Sequence, residues 1–142
     1  MRALLDVNVL LALMDSAHVH HGQALAWWRR ERDNGWASCP LTQNGFVRIA
    51  CQGRYPERPT AAQAIEQLRL QLAEPGHEFW PDDISITEAS LFDRMYILGP
   101  KQISDVYLLA IAMKNGGRLV TFDRNVPLRA VRGAEPRHLI VM

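Results

Sequence analysis

Residues 104–123 read SDVYLLAIAMKNGGRLVTFD and contain a helix, a turn and a strand in immediate succession. Asp105 opens an apolar run typical of a buried helix, where an acid can cap the first turn. The double glycine near the centre supplies the left-handed backbone positions that end a helix. The apolar residues that follow predict a buried strand leading into Asp123. This stretch therefore predicts a helix with an acid at its amino end and a strand with an acid at its carboxyl end.

The N-terminus repeats the combination of a short apolar strand and an acid. Ala3–Leu5 reads as a buried parallel strand, and Asp6 follows it directly. A short helix or turn is predicted from Val7 to Leu13, and a longer helix from about His20 to Arg32. The first strand thus also ends on an acid.

Turn and capping residues predict the remaining elements. These are a strand after Gly35, a helix over about Gln43–Gln52 capped by Thr42, a proline-bounded loop at Arg54–Pro59, a helix capped by Thr60 and stopped by Pro75-Gly76, a strand around Glu78–Trp80, a helix over Thr87–Leu98 and a last strand in Leu139–Met142. Alternating strands and helices predict an α/β fold, with a mainly parallel central sheet covered by helices on both faces. A length of 142 residues suits a single domain, 1–142.

Composition excludes several classes of protein. The net charge of +1 makes any polyanion-binding site a local feature, and two cysteines without metal-ligand spacing argue against a zinc module or a disulfide scaffold. No signal pattern opens the chain, and no apolar run approaches the roughly 18 residues that span a bilayer. We therefore expect a cytoplasmic protein that does not enter a membrane.

Three aspartates are predicted to meet at one edge of the sheet. Strand carboxyl ends and the amino ends of the following helices share that edge in a parallel sheet, which brings Asp6, Asp105 and Asp123 together. Close carboxylates repel each other unless protons, basic groups or a cation neutralise them. Oxygen ligands without Cys or His favour Mg²⁺, with Mn²⁺ as the alternative. Such a site suits phosphodiester hydrolysis, although each aspartate alone could be a cap or turn residue.

Several neighbouring residues have both a functional and a structural interpretation. Asn8 and Thr121 could orient carboxylates or waters, or be an ordinary turn residue and strand residue. The histidines at 18, 20 and 21 lack a partner acid or thiol at zinc-ligand spacing, so loop polarity and capping explain them better. The arginines at 29, 30 and 32 beside two tryptophans could bind RNA, but a solvated helix face is the simpler explanation.

These motifs resemble those of the PIN-domain family, and specifically the VapC-like toxins of type II toxin–antitoxin systems. The resemblance covers nearly the whole chain. It is carried by LLDVNVLL at residues 4–11 and, most specifically, by SDVYLLAIA at 104–112 with GGRLVTFDRN at 116–125. It implies a PIN-like α/β/α fold and a magnesium-dependent endoribonuclease, with Asp6 and Asp105 as principal metal ligands and Asp123 as a supporting acid. It also implies a homodimer, an RNA substrate and a cognate antitoxin.

The chain departs from the family pattern at one position. Many members carry a glutamate after the second strand, and Gly45 stands there in TQNGFVR, residues 42–48. Asn44 or Gln43 could supply a neutral oxygen instead, so we expect weaker metal affinity, which does not require inactivity, and one ion more readily than two. A degenerate PIN-like RNA-binding module and a deoxyribonuclease are the alternatives. Arg48 and Arg124 are placed by the motifs to face an RNA phosphate, although Arg48 could pair with a site acid instead.

Overall fold

A computed structural model of the chain describes residues 1–53 and 57–142 and contains one parallel sheet. Within these residues the strands are β1 (Ala3–Leu5), β2 (Trp36–Ser38), β3 (His77–Phe79), β4 (Arg118–Thr121) and β5 (Leu139–Val141). Their order across the sheet is β3-β2-β1-β4-β5, and every neighbouring pair is parallel. All strand carboxyl ends therefore lie along one edge, and β1 and β4 are neighbours at its centre.

Helices cover both faces of the sheet. The helices in the described residues are α1 (Val7–Met14), α2 (His21–Glu31), α3 (Pro40–Cys51), α4 (Ala61–Leu72) and α5 (Ile103–Lys114). Side chains alternate along each strand, so Leu4 packs in the core cluster of α5 while Ala3 and Leu5 pack in the cluster of α1 to α4. The predicted three-layer α/β/α architecture is confirmed.

The start of α3 differs from the prediction. The helix begins at Pro40, whose ring suits the first turn, and not after Thr42. Thr42 lies inside the first turn, where its hydroxyl accepts a hydrogen bond from the Cys39 amide at 3.0 Å and donates one to the Cys39 carbonyl at 3.1 Å. Asp82, from the segment after β3, accepts a hydrogen bond from the Leu41 amide. The amides at the start of α3 therefore bond partly to Thr42 within the helix and partly to Asp82, 41 positions after Leu41, which no local pattern predicts.

The predicted helix over Thr87–Leu98 is wrong. This segment consists of turns and a short 3₁₀ helix at Arg94–Tyr96. Its backbone bonds to the segment around residue 131: the Asp93 amide donates to the Ala130 carbonyl, and the Arg132 amide donates to the Leu91 carbonyl. Tertiary partners thus take the groups that a helix would use internally.

Two smaller predictions also need comment. In α4, the spacing of Ala61, Ala64, Ile65, Leu68 and Leu72 is typical of an apolar stripe; Ala64 and Leu68 are buried, but Ile65 is 55% exposed, so the buried stripe is narrower than that spacing. The predicted loop Arg54–Pro59 lies partly outside the described residues, because 54–56 are not described. Over the described ranges, no helix has the combination of length and apolarity needed to cross a membrane.

Candidate active site

Asp6 is held at the junction of β1 and α1. It follows the last residue of β1 and is the N-cap of α1, where its carboxylate accepts a hydrogen bond from the Val7 amide at 2.6 Å. The Thr121 hydroxyl at the end of β4 donates to the other carboxylate oxygen, also at 2.6 Å. Only 7% of Asp6 is exposed. The parallel pairing of β1 with β4 therefore places an acid and its hydrogen-bond donor side by side.

Asp105 reaches the same edge from the first turn of α5 and is 8% exposed. Burial is the main reason that its pKa rises to about 7, and the negative charges of Asp6 and then Asp123 add to the rise. A hydrogen bond to Asp123 acts in the same direction, because only the protonated Asp105 can donate it. The three aspartates therefore lie close enough to influence one another, as the topology predicted.

The pKa of Asp6 is raised as well. Burial is the largest cause, and the charge of Asp123 adds to it. Hydrogen bonds from Thr121, the Val7 amide and Asn8 oppose the rise, since each stabilises the charged carboxylate. Hydrogen bonds therefore stabilise the charged form of Asp6, whereas the neighbouring carboxylates of Asp105 disfavour its charged form.

Asn8, in the first turn of α1, and Thr121, the last residue of β4, connect these two elements across the site. The Asn8 amide donates to the Thr121 hydroxyl oxygen at 3.2 Å and accepts a hydrogen bond from the Phe122 amide at 3.2 Å. The Asp123 amide donates to the same hydroxyl oxygen at 3.0 Å. Since Thr121 donates its single proton to Asp6, the hydroxyl is oriented by all its partners. This network is what would keep the Asp6 and Asp123 backbones in register.

The acidic edge has the donor chemistry of a hard-cation site without a completed ligand set. Across residues 1–53 and 57–142, no group of three or more His, Cys, Asp or Glu side chains has the arrangement needed to hold a metal ion. Two buried carboxylates, Asp6 and Asp105, nevertheless have raised pKa values, and none of the ion pairs in the described residues involves either of them. Such oxygen donors fit Mg²⁺ or Mn²⁺, which keep several water ligands.

Gly45 has a packing role that the sequence did not indicate. It is buried in α3, and a Cβ atom there would lie 2.6 Å from Cγ2 of Val7, the residue after Asp6. The close approach of α1 and α3 therefore favours glycine at this position. Asn44 is exposed, and its supporting role stays a prediction.

Gln43 belongs to a hydrogen-bond chain that sequence reasoning missed. Its amide donates to the Ser38 hydroxyl at 2.9 Å, and Ser38 is also 2.9 Å from Nε2 of His77. Ser38 ends β2, the strand beside β1, whereas His77 begins β3 in register with Trp36, so these hydrogen bonds lead from the carboxyl ends of the strands back toward their amino ends. Ser38 and Gln43 are 5 positions apart, but His77 lies 39 positions after Ser38, so no local pattern connects all three.

The two predicted RNA-binding arginines are exposed. Arg48 lies on α3 and Arg124 directly follows Asp123. Among the described residues neither forms an ion pair, so the predicted alternative pairing of Arg48 with a site acid is not observed. Trp27, by contrast, is buried and Trp28 packs edge-on against Trp36, so these rings belong to the core.

Comparison with known proteins gives a consistent family. The PIN domain family model matches residues 3–133. Ribonuclease VapC44 of Mycobacterium tuberculosis is 49% identical over 142 residues, which is the full length of both chains. Ribonuclease VapC39 of the same species is 44% identical over 124 residues, covering 87% of this chain and 89% of the relative.

Solved structures show the same fold at low sequence identity. The crystal structure of Mycobacterium tuberculosis VapC20, described as a sarcin-ricin loop cleaving toxin, has a TM-score of 0.62 at 12% identity, covering 87% of this chain and 91% of VapC20. VapBC2 from Rickettsia felis, bound to a DNA fragment from its promoter, has a TM-score of 0.57 at 13% identity, with coverages of 87% and 89%. The family model and the full-length identity together show that the chain belongs to the PIN domain family, among the proteins named VapC.

Proposed function

We propose that this protein is a toxin endoribonuclease that hydrolyses RNA phosphodiester bonds at the acidic edge of its sheet. The observation that carries the proposal is the buried pair Asp6 and Asp105 with Asp123 beside it, where burial and neighbouring charges raise the pKa of Asp105 to about 7. A cluster with this electrostatic cost is typical of a site that takes a cation or a proton during its work. The VapC ribonucleases with which it shares up to 49% identity support the same activity.

The residues divide into direct ligands and supporting groups. Asp6 and Asp105 would hold Mg²⁺, with Mn²⁺ as the alternative, and Asp123 supports them as a third acid. Such an ion, when bound, activates water and stabilises charge on the phosphodiester. Thr121 and Asn8 hold the acids in position through the hydrogen bonds described above. Arg48 and Arg124 are free to contact phosphates, because they are exposed.

Cleavage assays with matched variants test this proposal. We expect wild-type protein to cleave single-stranded and loop-containing RNA in Mg²⁺ or Mn²⁺, but not in EDTA, and to leave DNA intact. Asp6→Asn and Asp105→Asn should lower the cleavage rate more than about 100-fold, because residues that merely support a metal ligand already contribute 10- to 100-fold. Asp33→Asn, an exposed aspartate after α2, is the control and should cleave normally.

The outcomes separate the proposal from its alternatives. Cleavage of DNA in preference to RNA would indicate a deoxyribonuclease. RNA binding without cleavage under any metal condition would indicate a degenerate binding module. No cleavage together with no metal-dependent rise in melting temperature would contradict a metal-dependent nuclease of either kind.

We further propose that a cognate antitoxin inhibits the enzyme by covering the acidic edge and a neighbouring apolar groove. The groove, of ≈ 280 Å³, lies between α1, α2 and α4 and is lined by residues that include Leu5, Leu13 and Leu25. The groove includes Leu5, which directly precedes Asp6, and extends along α1 to Met14, so an amphipathic helix lying along α1 with a basic side chain at one end would cover both surfaces. Oppositely charged groups would then neutralise the carboxylates.

The antitoxin is tested with the small protein encoded beside the toxin gene. Adding it should abolish cleavage, and Leu25→Glu in the groove should weaken this inhibition while basal cleavage stays unchanged. Leu70→Glu, an exposed position of α4 that does not line the groove, is the control. Equal inhibition of both variants would argue against this docking surface.

Light scattering of the free protein tests the predicted homodimer, and fractionation of cells tests the predicted cytoplasmic location.

A further inference from the structure

An aromatic strip lies beside the acidic edge and has no role in the function described so far. The His20 ring stacks on the Phe122 ring, with centroids 4.7 Å apart and planes inclined by 22°. The His18 ring continues the strip, with its centroid 5.9 Å from that of His20 and a tilt of 42°. His20 is exposed, whereas Phe122 and His18 are half-buried. The exposed member of the strip is therefore an aromatic ring, that of His20.

The strip begins directly at the predicted catalytic residues. Phe122 is flanked by Thr121, which donates to Asp6, and by Asp123. Its own amide donates to Asn8 at 3.2 Å, so its backbone belongs to the site network. A nucleotide whose phosphate reached the carboxylates would have its base, or that of its neighbour, within reach of these rings.

Local contacts hold the histidine end of the strip in place. Nδ1 of His18 accepts a hydrogen bond from the His20 amide at 3.1 Å. The next residue, His21, places Nδ1 2.7 Å from the Ala12 carbonyl of α1. The His20 ring itself has no hydrogen-bond partner among the described side chains and backbone groups. It is therefore positioned by its backbone and by the neighbouring rings of His18 and Phe122, and it remains exposed.

A purely structural role would not need an aromatic ring at residue 20. Covering Phe122 is a matter of apolar contact, which an aliphatic side chain would provide as well. An exposed aromatic face next to a phosphodiester site is, in contrast, what proteins use to stack unpaired RNA bases. The exposure of His20 and the position of Phe122 together favour the second role.

We propose that His20, supported by Phe122, stacks on an unpaired RNA base next to the scissile phosphate. This inference rests on the proposed ribonuclease function and adds the feature of the substrate that the site recognises. A base inside a duplex is already stacked on both sides, so the strip selects RNA that is single-stranded at this nucleotide. Stacking alone tolerates any base, because every base has a π-face.

Binding of a fluorescent single-stranded RNA to Asp105→Asn protein in Mg²⁺ tests the strip without cleavage. We expect His20→Ala and His20→Leu to weaken binding about 5- to 100-fold, in the range of one lost base–aromatic stack. His20→Phe should bind nearly as well as His20. Phe79→Ala, an exposed aromatic residue on the edge strand β3, is the control and should bind normally. Melting temperatures confirm that the variants fold.

A second series replaces single nucleotides of the RNA by abasic ones. At the stacked position, the abasic RNA should bind the His20 and His20→Leu proteins equally. If His20→Leu binds intact RNA as well as His20 does, the ring only packs on Phe122 and the inference is wrong. Cleavage by wild-type protein with no effect of His20 variants overturns the strip alone, whereas absence of both cleavage and RNA binding overturns the proposed function with it.

Discussion

At the amino ends of the strands, charged side chains lie beside opposite charges. Arg118 at the start of β4 is 2.8 Å from Glu31, and Arg2 before β1 is 3.1 Å from Glu78. At the carboxyl ends, the charges that meet are alike: three aspartates share the edge, and the described residues offer them no ion pair. The same sheet thus carries a paired end and an unpaired end.

The two ends of the sheet differ in what their charges do for stability. Exposed or half-exposed ion pairs contribute little to stability, and either partner could be replaced at small cost. Buried like charges reduce stability unless a proton or a cation neutralises them, so selection for stability alone would remove them. The aspartates at the acidic end are therefore better explained by a function that binds a cation or a proton than by stability.

The largest effect on this comparison is expected at Thr121. Thr121→Val keeps the shape but removes the proton donated to Asp6 and the acceptor used by Asn8 and the Asp123 amide. We expect a 10- to 100-fold loss in metal affinity or cleavage rate, the usual range for groups that hold a metal ligand. Thr121→Ser should recover most of it. Cleavage kinetics at several Mg²⁺ concentrations give the answer, and equal rates for Val and Ser would contradict the hydrogen-bond role.

A smaller effect is expected from the packing beneath the acidic end. Gly45→Ala places a Cβ atom 2.6 Å from Val7 and should destabilise the protein by about 1–3 kcal/mol, as overpacking does. Val7→Ala in the same chain should restore stability. In the control Gly22→Ala on α2, the added Cβ atom would have no neighbouring atom within 4 Å, so this change should be neutral or stabilise the protein by up to about 1 kcal/mol. Urea denaturation measures all three, and a neutral Gly45→Ala would show that α1 and α3 separate easily.

The pH dependence of stability distinguishes the two ends directly. Because the pKa of Asp105 is 3.8 when unperturbed and about 7 in the folded state, the folded protein binds the proton more tightly than the unfolded chain. In EDTA, stability should therefore fall as pH rises from about 4 to 7. Over this pH range, the free energy of unfolding of Asp105→Asn should fall by roughly 1–2 kcal/mol less than that of the wild-type protein, after allowance for solvent screening. Parallel profiles for the two proteins would contradict the raised pKa.

The smallest effect is expected at the paired end. Glu31→Gln removes the charge opposite Arg118 in a partly buried ion pair and should cost about 1 kcal/mol or less of unfolding free energy. Cleavage should not change, because this end lies away from the carboxylates. A loss of cleavage without a loss of stability would show that the two ends of the sheet are coupled.

Local sequence was sufficient for several parts of the fold. The helix and strand within 104–123 could be predicted because an apolar run, a double glycine and a second apolar run follow one another without tertiary help. Thr87–Leu98 could not, since its backbone groups bond to residues 130–132. The start of α3 could not be predicted from Thr42 as a capping residue, because Pro40 occupies the first turn and Thr42 lies inside the helix.

The candidate site shows the same division. The meeting of Asp6, Asp105 and Asp123 followed from the sequence, because a parallel sheet brings strand ends and helix starts to one edge. The contacts of His20 with Phe122 and of Ser38 with His77 did not, since they depend on the paths of loops and helices. Gly45 resembled a lost ligand in sequence, whereas the structure shows a close approach of two helices.

The sequence by itself thus determined the order of the strands and of the helices other than the one wrongly predicted over Thr87–Leu98, the family motifs and the three acids, because these depend on short-range patterns and on the handedness of parallel connections. Only the tertiary structure decided how deeply the acids are buried, which hydroxyl and amide hold them, and which rings stand beside them. Burial and hydrogen bonding are set by residues up to 115 positions apart, and they determine the pKa values on which the chemistry depends.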